Sequence, residues 1–554
     1  MKKILYLFVL FFVAFGLFAG GGQSSAPSGP IDYGTRGSGA NYWWVKFQEP
    51  VKIRSVMAER PATPYMQGDD VTSNEWTRAF KQELNVELTY DWVSSVAGYT
   101  EKLNLAIASN ELPDVFYTNP DQFSQLVEAG ITADITDYIA NNSSDMIKAI
   151  MASAPVVTST VMYNGRQMGF PRYGYGDVWM PRSLWIRHDW MARTGLGEPQ
   201  NFEDIERIMD AFMRANPGSY GFGLNRNLEE FYRAATAFGA KPRIWIDGPD
   251  GQIMYGSIMP EMKLALERFA DWYRRGYLRR DFMSMDLNAV ISDIAAERVG
   301  LHIHANSAGW GYMPAIRALT SKYGMTAYMD PYEIPTAIPG KPHIHTLTID
   351  NTQYIVYNKN ARNIAAALKC MSYHAWVVME ATLQGGLTDA QVDRFLLGGE
   401  GRHDVPMLSV NDPYGNGPLM VEWAHKVGLN NYQITEPPMT AEWIAQYEQA
   451  APWWRNNDVE GYGRWIQQYN PRSSAWNNLK IMNEGRFTAT RLLGAMPEAG
   501  AAYGSTLDEI LAEGFTKIII GQEPVSYFDR LVAEWRSSGG DVVTRAVQRV
   551  YGGR

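Results

Sequence analysis

Two pairs of histidines raise metal chemistry first. "GLHIHANSAGW" sets His302 and His304 two positions apart, and "KPHIHTLTID" repeats the spacing with His343 and His345. On a strand, residues i and i+2 share a face, so either pair could reach one zinc ion. A catalytic zinc site also needs a third protein ligand and supporting hydrogen-bond partners. The chain has no HExxH motif and no CxxC pair, and no cluster of Asp or Glu stands beside the histidines. Three readings stay open: metal ligation, polar strand-face histidines, and hydrogen bonding of a ligand by His304 or His345.

Other chemistries leave fainter traces. "NSAGW" is not a GxSxG nucleophile elbow, and "GYGDVW" and "GGGQSS" lack the lysine and strand-turn-helix context of a phosphate loop. "ANPGSYGFGLNRNLEE" lacks the acidic series of a calcium loop. No catalytic residue, metal ligand or cofactor is therefore assigned. With 59 Asp and Glu, a pair of carboxylates spaced for glycoside hydrolysis remains the enzyme alternative.

The aromatic content offers a different chemistry. The 554 residues include 18 Trp and 31 Tyr, and several of these follow predicted strands: Tyr117 after "LPDVF", Trp179 and Trp185 around residue 180, Trp310 after "VGLHIHAN", and Trp453 and Trp454 in "PWWRN". A sugar ring presents an apolar CH face that indole or phenol can cover. Its hydroxyls need Asn, Asp, Arg or His to replace the water they lose. In open α/β sheets, ligands lie beyond the carboxyl ends of strands.

The elements that would position these residues alternate in type. "VKIRSVMAER" and "NVELTYDWVS" read as strands around the helix "SNEWTRAFKQEL", with Ser73 or Asn74 as its cap. A helix over about 100–108, the strand "DVFYT" and the helix "PDQFSQLVEAG" follow. "QMGFP" and "SLWIR" are further strands, the second running into a helix that stops at Gly195. "NFEDIERIMDAFMRA", capped by Asn201, and "EMKLALERFADWYRRGYL" are amphipathic helices. "HIHTLTIDNTQYIVYNKN" supplies strand material, and "ARNIAAALKCMSYHAWVVMEATL" a long helix in which Cys370 reads as a small buried hydrophobe. Residues 380–500 look irregular, and the tail alternates helices with a "GQEP" loop. The fold class is α/β.

The N-terminus "MKKILYLFVLFFVAFGLFAGGGQSSAPSGP" has two lysines, an apolar run from Ile4 to Phe18, and Ala19 before small residues. It reads as a signal peptide over 1–19 with a flexible leader over 20–41. The net charge of −9 is dispersed, with no basic block, which disfavours nucleic acid as a partner.

Six stretches, "YTEKLNLAIASNELPDVFYTN", "GRQMGFPRYGYGDVWMPRSLWIRHDWMARTGL", "NFEDIERIMDAFM", "AAERVGLHIHANSAGW", "YIVYNKNARNIAAALK" and "FTKIIIGQEPVSYFDRLVAEWRSSGGD", carry a resemblance in their order and spacing. The chain resembles the extracellular solute-binding proteins of ABC importers, in the large oligosaccharide-binding branch with maltodextrin and alginate receptors. The resemblance implies a type II periplasmic-binding-protein fold of two lobes with a cleft and hinge. Lobe 1 would comprise 42–180 with a return over 336–375. Lobe 2 would comprise 181–335 and 376–554, including the C-terminal helices. It implies a carbohydrate ligand in the cleft, with Trp310 against a sugar ring and Thr118 and Asn119 facing it. The full candidate ligand set is Asn74, Trp76, Tyr117, Thr118, Asn119, Trp179, Trp185, His304, Asn306, Trp310, His345, Trp453 and Trp454. The implied partners are the permease subunits of an ABC transporter, and the protein is expected to be a monomer. Gly20 stands where lipoprotein relatives carry a cysteine, so a periplasmic or secreted protein without a lipid anchor is expected, and without the calcium loop of the alginate-type relatives.

Overall fold

The computed structural model describes residues 43–59, 65, 68–153, 155–172, 181–347, 353–379, 395, 418–436, 438, 441–492 and 496–552. Among the described residues, fourteen strands follow one another along the chain. They are β1 (Val51–Glu59), β2 (Val86–Ser95), β3 (Val115–Thr118), β4 (Met162–Tyr163), β5 (Arg166–Gln167), β6 (Phe170–Pro171) and β7 (Ser183–Arg187). After them come β8 (Trp245–Asp247), β9 (Ile253–Tyr255), β10 (Leu301–His304), β11 (Met329–Tyr332), β12 (His345–Leu347), β13 (Tyr354–Tyr357) and β14 (Phe487–Ala489).

The first sheet grows from β-branched and aromatic runs. β1 pairs parallel with β2 in a two-stranded sheet, and β13 lies antiparallel between β3 and β6 in a three-stranded one; the two adjoin and are together called the first sheet. β1 also runs beside β3: the Asp114 N–H donates to the Arg54 carbonyl at 3.0 Å, and the Ser55 hydroxyl to the Val115 carbonyl at 2.8 Å. The chain enters the intervening helix, Glu75–Ala79, through Asn74, whose side-chain oxygen accepts from the Trp76 and Thr77 N–H groups. That cap satisfies two donors that a helix start otherwise leaves orphaned. The helix Pro120–Glu128 begins in the same way from Asn119, with proline in its first turn.

In the second sheet, β7 sits between β10 and β11, antiparallel to both. All five β7 residues are buried, consistent with a central strand covered on both faces. The helix Phe202–Ala215 is capped by Asn201, while the Asp204 carboxylate accepts from the Gln200 N–H at 2.8 Å.

Burial separates the chain into clusters. One collects residues from 43–170, 354–377 and Phe395 around the first sheet. Another joins 184–334 to 507–551, and a third packs 185–329 against 420–469. Phe395 lies 4.8 Å from Trp76, ring to ring, and packs in the first cluster. Most of the described part of 380–500, expected to be irregular, is helical: Pro418–Leu429, Ala441–Asn456 and Ser474–Asn483. These helices bury residues on several faces, including Trp443, Tyr447, Ala450, Ala451 and Trp453, which blurs the single apolar stripe that marks a surface helix. Among the described residues, no helix is long and apolar enough to cross a membrane.

Candidate functional site

The second sheet gathers three chain ends at one edge. His304, which ends β10, pairs with Ser183, which starts β7, and Tyr332 at the end of β11 pairs with Leu184. Beyond β10 the chain turns through Asn306 into the short helix Ala308–Gly311 that carries Trp310. The half-buried Trp310 indole donates to Gln467 Oε1 at 3.0 Å, and the Arg464 guanidinium lies 5.3 Å from its ring centroid. Two glycines permit this contact. A Cβ on Gly309 would stand 2.4 Å from Ile466 Cγ2, and one on Gly463 would stand 2.7 Å from Trp310 Cε3.

Asn306 is buried behind Trp310. Its side-chain oxygen accepts from Gln467 Nε2 at 3.2 Å, and its carbonyl accepts from the Ser474 hydroxyl at 2.8 Å. Among the described residues its buried Nδ2 has no protein partner, nor has Oδ1 of Asn478, whose Nδ2 donates to the Pro181 carbonyl. An unmade buried hydrogen bond costs about 1–3 kcal/mol, so each of these atoms calls for water or another polar group.

The two histidines of β10 divide their roles. His302 is fully buried, with Nε2 2.8 Å from Glu230 Oε1 and Nδ1 2.7 Å from the Tyr312 hydroxyl. Burial pushes the Tyr312 phenol well above its usual pKa, so the phenol keeps its proton. Glu230 also accepts from the N–H and side-chain amide of Asn225. This acidic partner lies 72 residues away in sequence, which hid it from motif reading. His304 is partly exposed, and burial, aided by His302 and Arg182, lowers its pKa to about 3. At neutral pH it offers one donor and one acceptor. Among the described residues no group of three or more His, Cys, Asp or Glu is placed to hold a metal ion.

At the first sheet, Thr118 is buried and donates to the Tyr354 carbonyl at 3.4 Å, while Asn119 spends its side-chain oxygen on the Gln122 N–H at 2.8 Å. The Tyr117 ring lies 5.3 Å from the Arg172 guanidinium, and Arg172 also donates to Gln353 Oε1 at 2.8 Å.

Several other candidates fold into the interior. Asn74 is consumed by its cap, donating to the Asp70 and Val71 carbonyls while accepting from the helix N–H groups. Trp76 packs among Phe80, His374 and Phe395, and Trp185 against Tyr312 with no exposed surface. Trp453 stacks on Trp465 at 4.7 Å. His345 is buried and stacked on His343 at 3.8 Å. None of these five presents a face to a ligand in this conformation. Trp454 is half-buried and stacked on Tyr432 at 4.3 Å, and Trp179 falls outside the described residues.

A cavity of about 360 Å³ is lined by residues from two of the apolar clusters. Pro120, Thr160 and Tyr354 come from the first-sheet side, facing Arg243, Trp245, Tyr255, Thr490, Asp508 and Trp535. Trp245 and Tyr255 occupy paired positions of the β8–β9 hairpin, with ring centroids 5.1 Å apart, and Tyr255 stacks on Trp535 at 5.6 Å. The Tyr255 hydroxyl is 3.5 Å from Asp508 Oδ1. Burial raises the Asp508 pKa, with Arg243 and Tyr255 opposing it. Arg243 is ion-paired to Glu229 and lies 4.7 Å from the Tyr232 ring centroid. The sequence reading missed this wall. Its signal was "WIDGPDGQIMY", two short β runs around a Gly/Pro/Asp turn, with an aromatic residue at each end.

Residues 63–374, more than half of the chain, match the family model described as bacterial extracellular solute-binding protein. The chain belongs to that family. The family is one of solute-binding proteins, not of enzymes. Among curated relatives, this solute-binding protein is 21% identical over 274 residues to the fructooligosaccharide ABC transporter substrate-binding protein FusA of Streptococcus pneumoniae, covering 46% of this chain and 50% of that protein. It is 25% identical over 211 residues to the polygalacturonan/rhamnogalacturonan-binding protein YtcQ of Bacillus subtilis, covering 36% and 40%. The chain thus spans half or less of the curated relatives it matches. Among solved structures, an HMO-binding ABC-transporter-associated protein from Bifidobacterium longum infantis superposes with a TM-score of 0.60 at 12% identity, covering 91% of this chain and 98% of that one. The alginate-binding protein AlgQ2 gives 0.55 at 16%, covering 93% and 100%. At these identities the likeness establishes a shared fold.

Proposed function

We propose that the protein is the substrate-binding component of an ABC uptake system, capturing an oligosaccharide or modified sugar between two lobes and passing it to a membrane permease. The cavity joining Pro120, Thr160 and Tyr354 to Trp245, Tyr255 and Asp508 carries the reading. It combines aromatic rings with a few convergent polar groups, the composition of a small-molecule site. Similarity to proteins named for fructooligosaccharide, HMO and alginate binding supports a carbohydrate. The lobes would be built on the two sheets and close about a hinge between them. His304, Asn306 and Trp310 would extend the cleft along the edge of the second sheet, and Thr118 and Asn119 would face it from the first. The apolar run over 4–18 would direct export, placing the mature protein in the periplasm or outside the cell as a monomer.

Capture would be reversible. Glycoside hydrolysis needs two carboxyl groups about 5–9.5 Å apart, whereas among the described residues Asp508 is the only carboxylate lining this cavity. Calorimetric titration against a glycan panel, with chromatography of the recovered ligand, tests the reading. Binding of at least one glycan that returns at its original length is expected. Peptide binding without glycan binding, or shortened products, would overturn it.

A further inference from the structure

We propose that the sugar unit seated in the 360 Å³ cavity is uncharged, held by hydroxyl hydrogen bonds to Asp508 and Arg243 with its ring against the Trp245 and Tyr255 wall. The inference rests on the solute-binding reading above and adds the charge class of the ligand. A cavity of this volume holds about a dozen waters, the scale of one sugar ring and its hydroxyls. It sits at the lower end of the roughly 300–1,000 Å³ of ligand sites. A longer glycan would extend out of it.

The charges around the cavity decide the class. Among the described residues, Arg243 and Asp508 are the only charged ones lining it, one of each sign. Arg243 is already ion-paired to Glu229 outside the lining, and it also interacts electrostatically with Asp508. A uronate or sulfated ring would therefore bring a third negative group to a single guanidinium that is already engaged. The cost of such a group grows as closure removes water and lowers the local dielectric. An ammonium-bearing ring would gain from Asp508 but lie beside Arg243. A hydroxyl is donor and acceptor at once. Neighbouring hydroxyls can donate to the Asp508 carboxylate and accept from Arg243 without adding charge. The Thr160 and Thr490 hydroxyls and the Tyr255 phenol complete a lining suited to a neutral polyol face.

The test is calorimetric titration of the full-length folded protein with neutral trisaccharides of the gluco-, fructo- and galacto-series, and with galacturonate and glucosamine trimers of the same length. Asp508→Asn is titrated in parallel, with circular dichroism verifying its fold. Binding confined to neutral sugars is expected, weakened about tenfold or more by Asp508→Asn, the scale of one lost hydrogen bond to a charged group. Preferred binding of the galacturonate or glucosamine trimer would overturn the inference while leaving carbohydrate capture intact. Neutral binding unchanged in Asp508→Asn would also overturn it, because the sugar would then lie elsewhere. If no glycan of any charge binds, the carbohydrate reading itself fails, and the inference with it.

Discussion

Lowering the pH from 7 to 5 should destabilise this protein through histidines that the fold keeps neutral. Burial, the dominant cause, lowers the pKa of both His304 and His343 to about 3. An unfolded histidine titrates near 6.5. Between these values the unfolded chain binds a proton that the folded chain refuses, so stability falls as the pH falls. The loss begins near pH 6.5, runs at up to about 1.4 kcal/mol per pH unit for each histidine, and levels off only below about pH 3. By pH 5 each has cost about 2 kcal/mol, or about 4 kcal/mol for the two. His345 and His425, both shifted down chiefly by burial, add to this. Asp508 and Glu422, raised by burial, act in the opposite sense and offset part of it. The carboxylates with lowered pKa, such as Glu206 and Asp281, lose their contribution only below the usual carboxylate range, outside this window. Urea unfolding followed by tryptophan fluorescence is the assay. A midpoint lower by about 1 M at pH 5 than at pH 7 is expected, taking about 3 kcal/mol per molar urea. His343→Phe should recover about half of the fall due to the two quantified histidines. A flat midpoint between pH 7 and 5, or an unchanged slope in His343→Phe, would refute the reasoning.

Glu230→Ala would strand the donors of His302 and Asn225 in a fully buried site, costing about 3–5 kcal/mol, and differential calorimetry should show a lower melting temperature that Glu230→Gln partly restores. Gly463→Ala would drive a methyl group into the Trp310 ring and cost about 1–3 kcal/mol in urea unfolding, with weaker glycan binding if Trp310 faces the ligand. Cys370 is buried in the helix Ile364–Met379 and its thiol is shifted up by burial, so thiol reagents should leave the native protein unmodified and label one site per chain once it unfolds.

Local rules carried most of the fold. The strands at Val51, Val86, Val115, Ser183 and Leu301, and the helices capped by Asn74 and Asn201, follow from alternation, amphipathic spacing and capping chemistry that a short window contains. Several candidate side chains lie buried for the same reason they were tempting. A Trp or His next to a strand end is equally suited to packing, and Trp76, Trp185 and His345 went inward because partners from distant segments closed over them. The cavity wall was illegible because Trp245, Asp508 and Trp535 are brought together only by tertiary packing. His302 shows the limit most directly. Its strand phase was readable, but Glu230, which fixes its role, was not.

The pairing of β12 with β14 and the docking of the C-terminal helices bear on the order in which the chain can mature. The cluster built on residues 184–334 receives Phe515, Phe528, Leu531 and Trp535 from the end of the chain, so a polypeptide still emerging from the ribosome holds that cluster half-covered. Among the described residues, the apolar cluster of the first sheet draws on nothing beyond Phe395 and can consolidate earlier. Synthesis therefore passes through a stage in which one part is finished and the other presents greasy, unclaimed surface. That is the stage at which a holdase would find its grip.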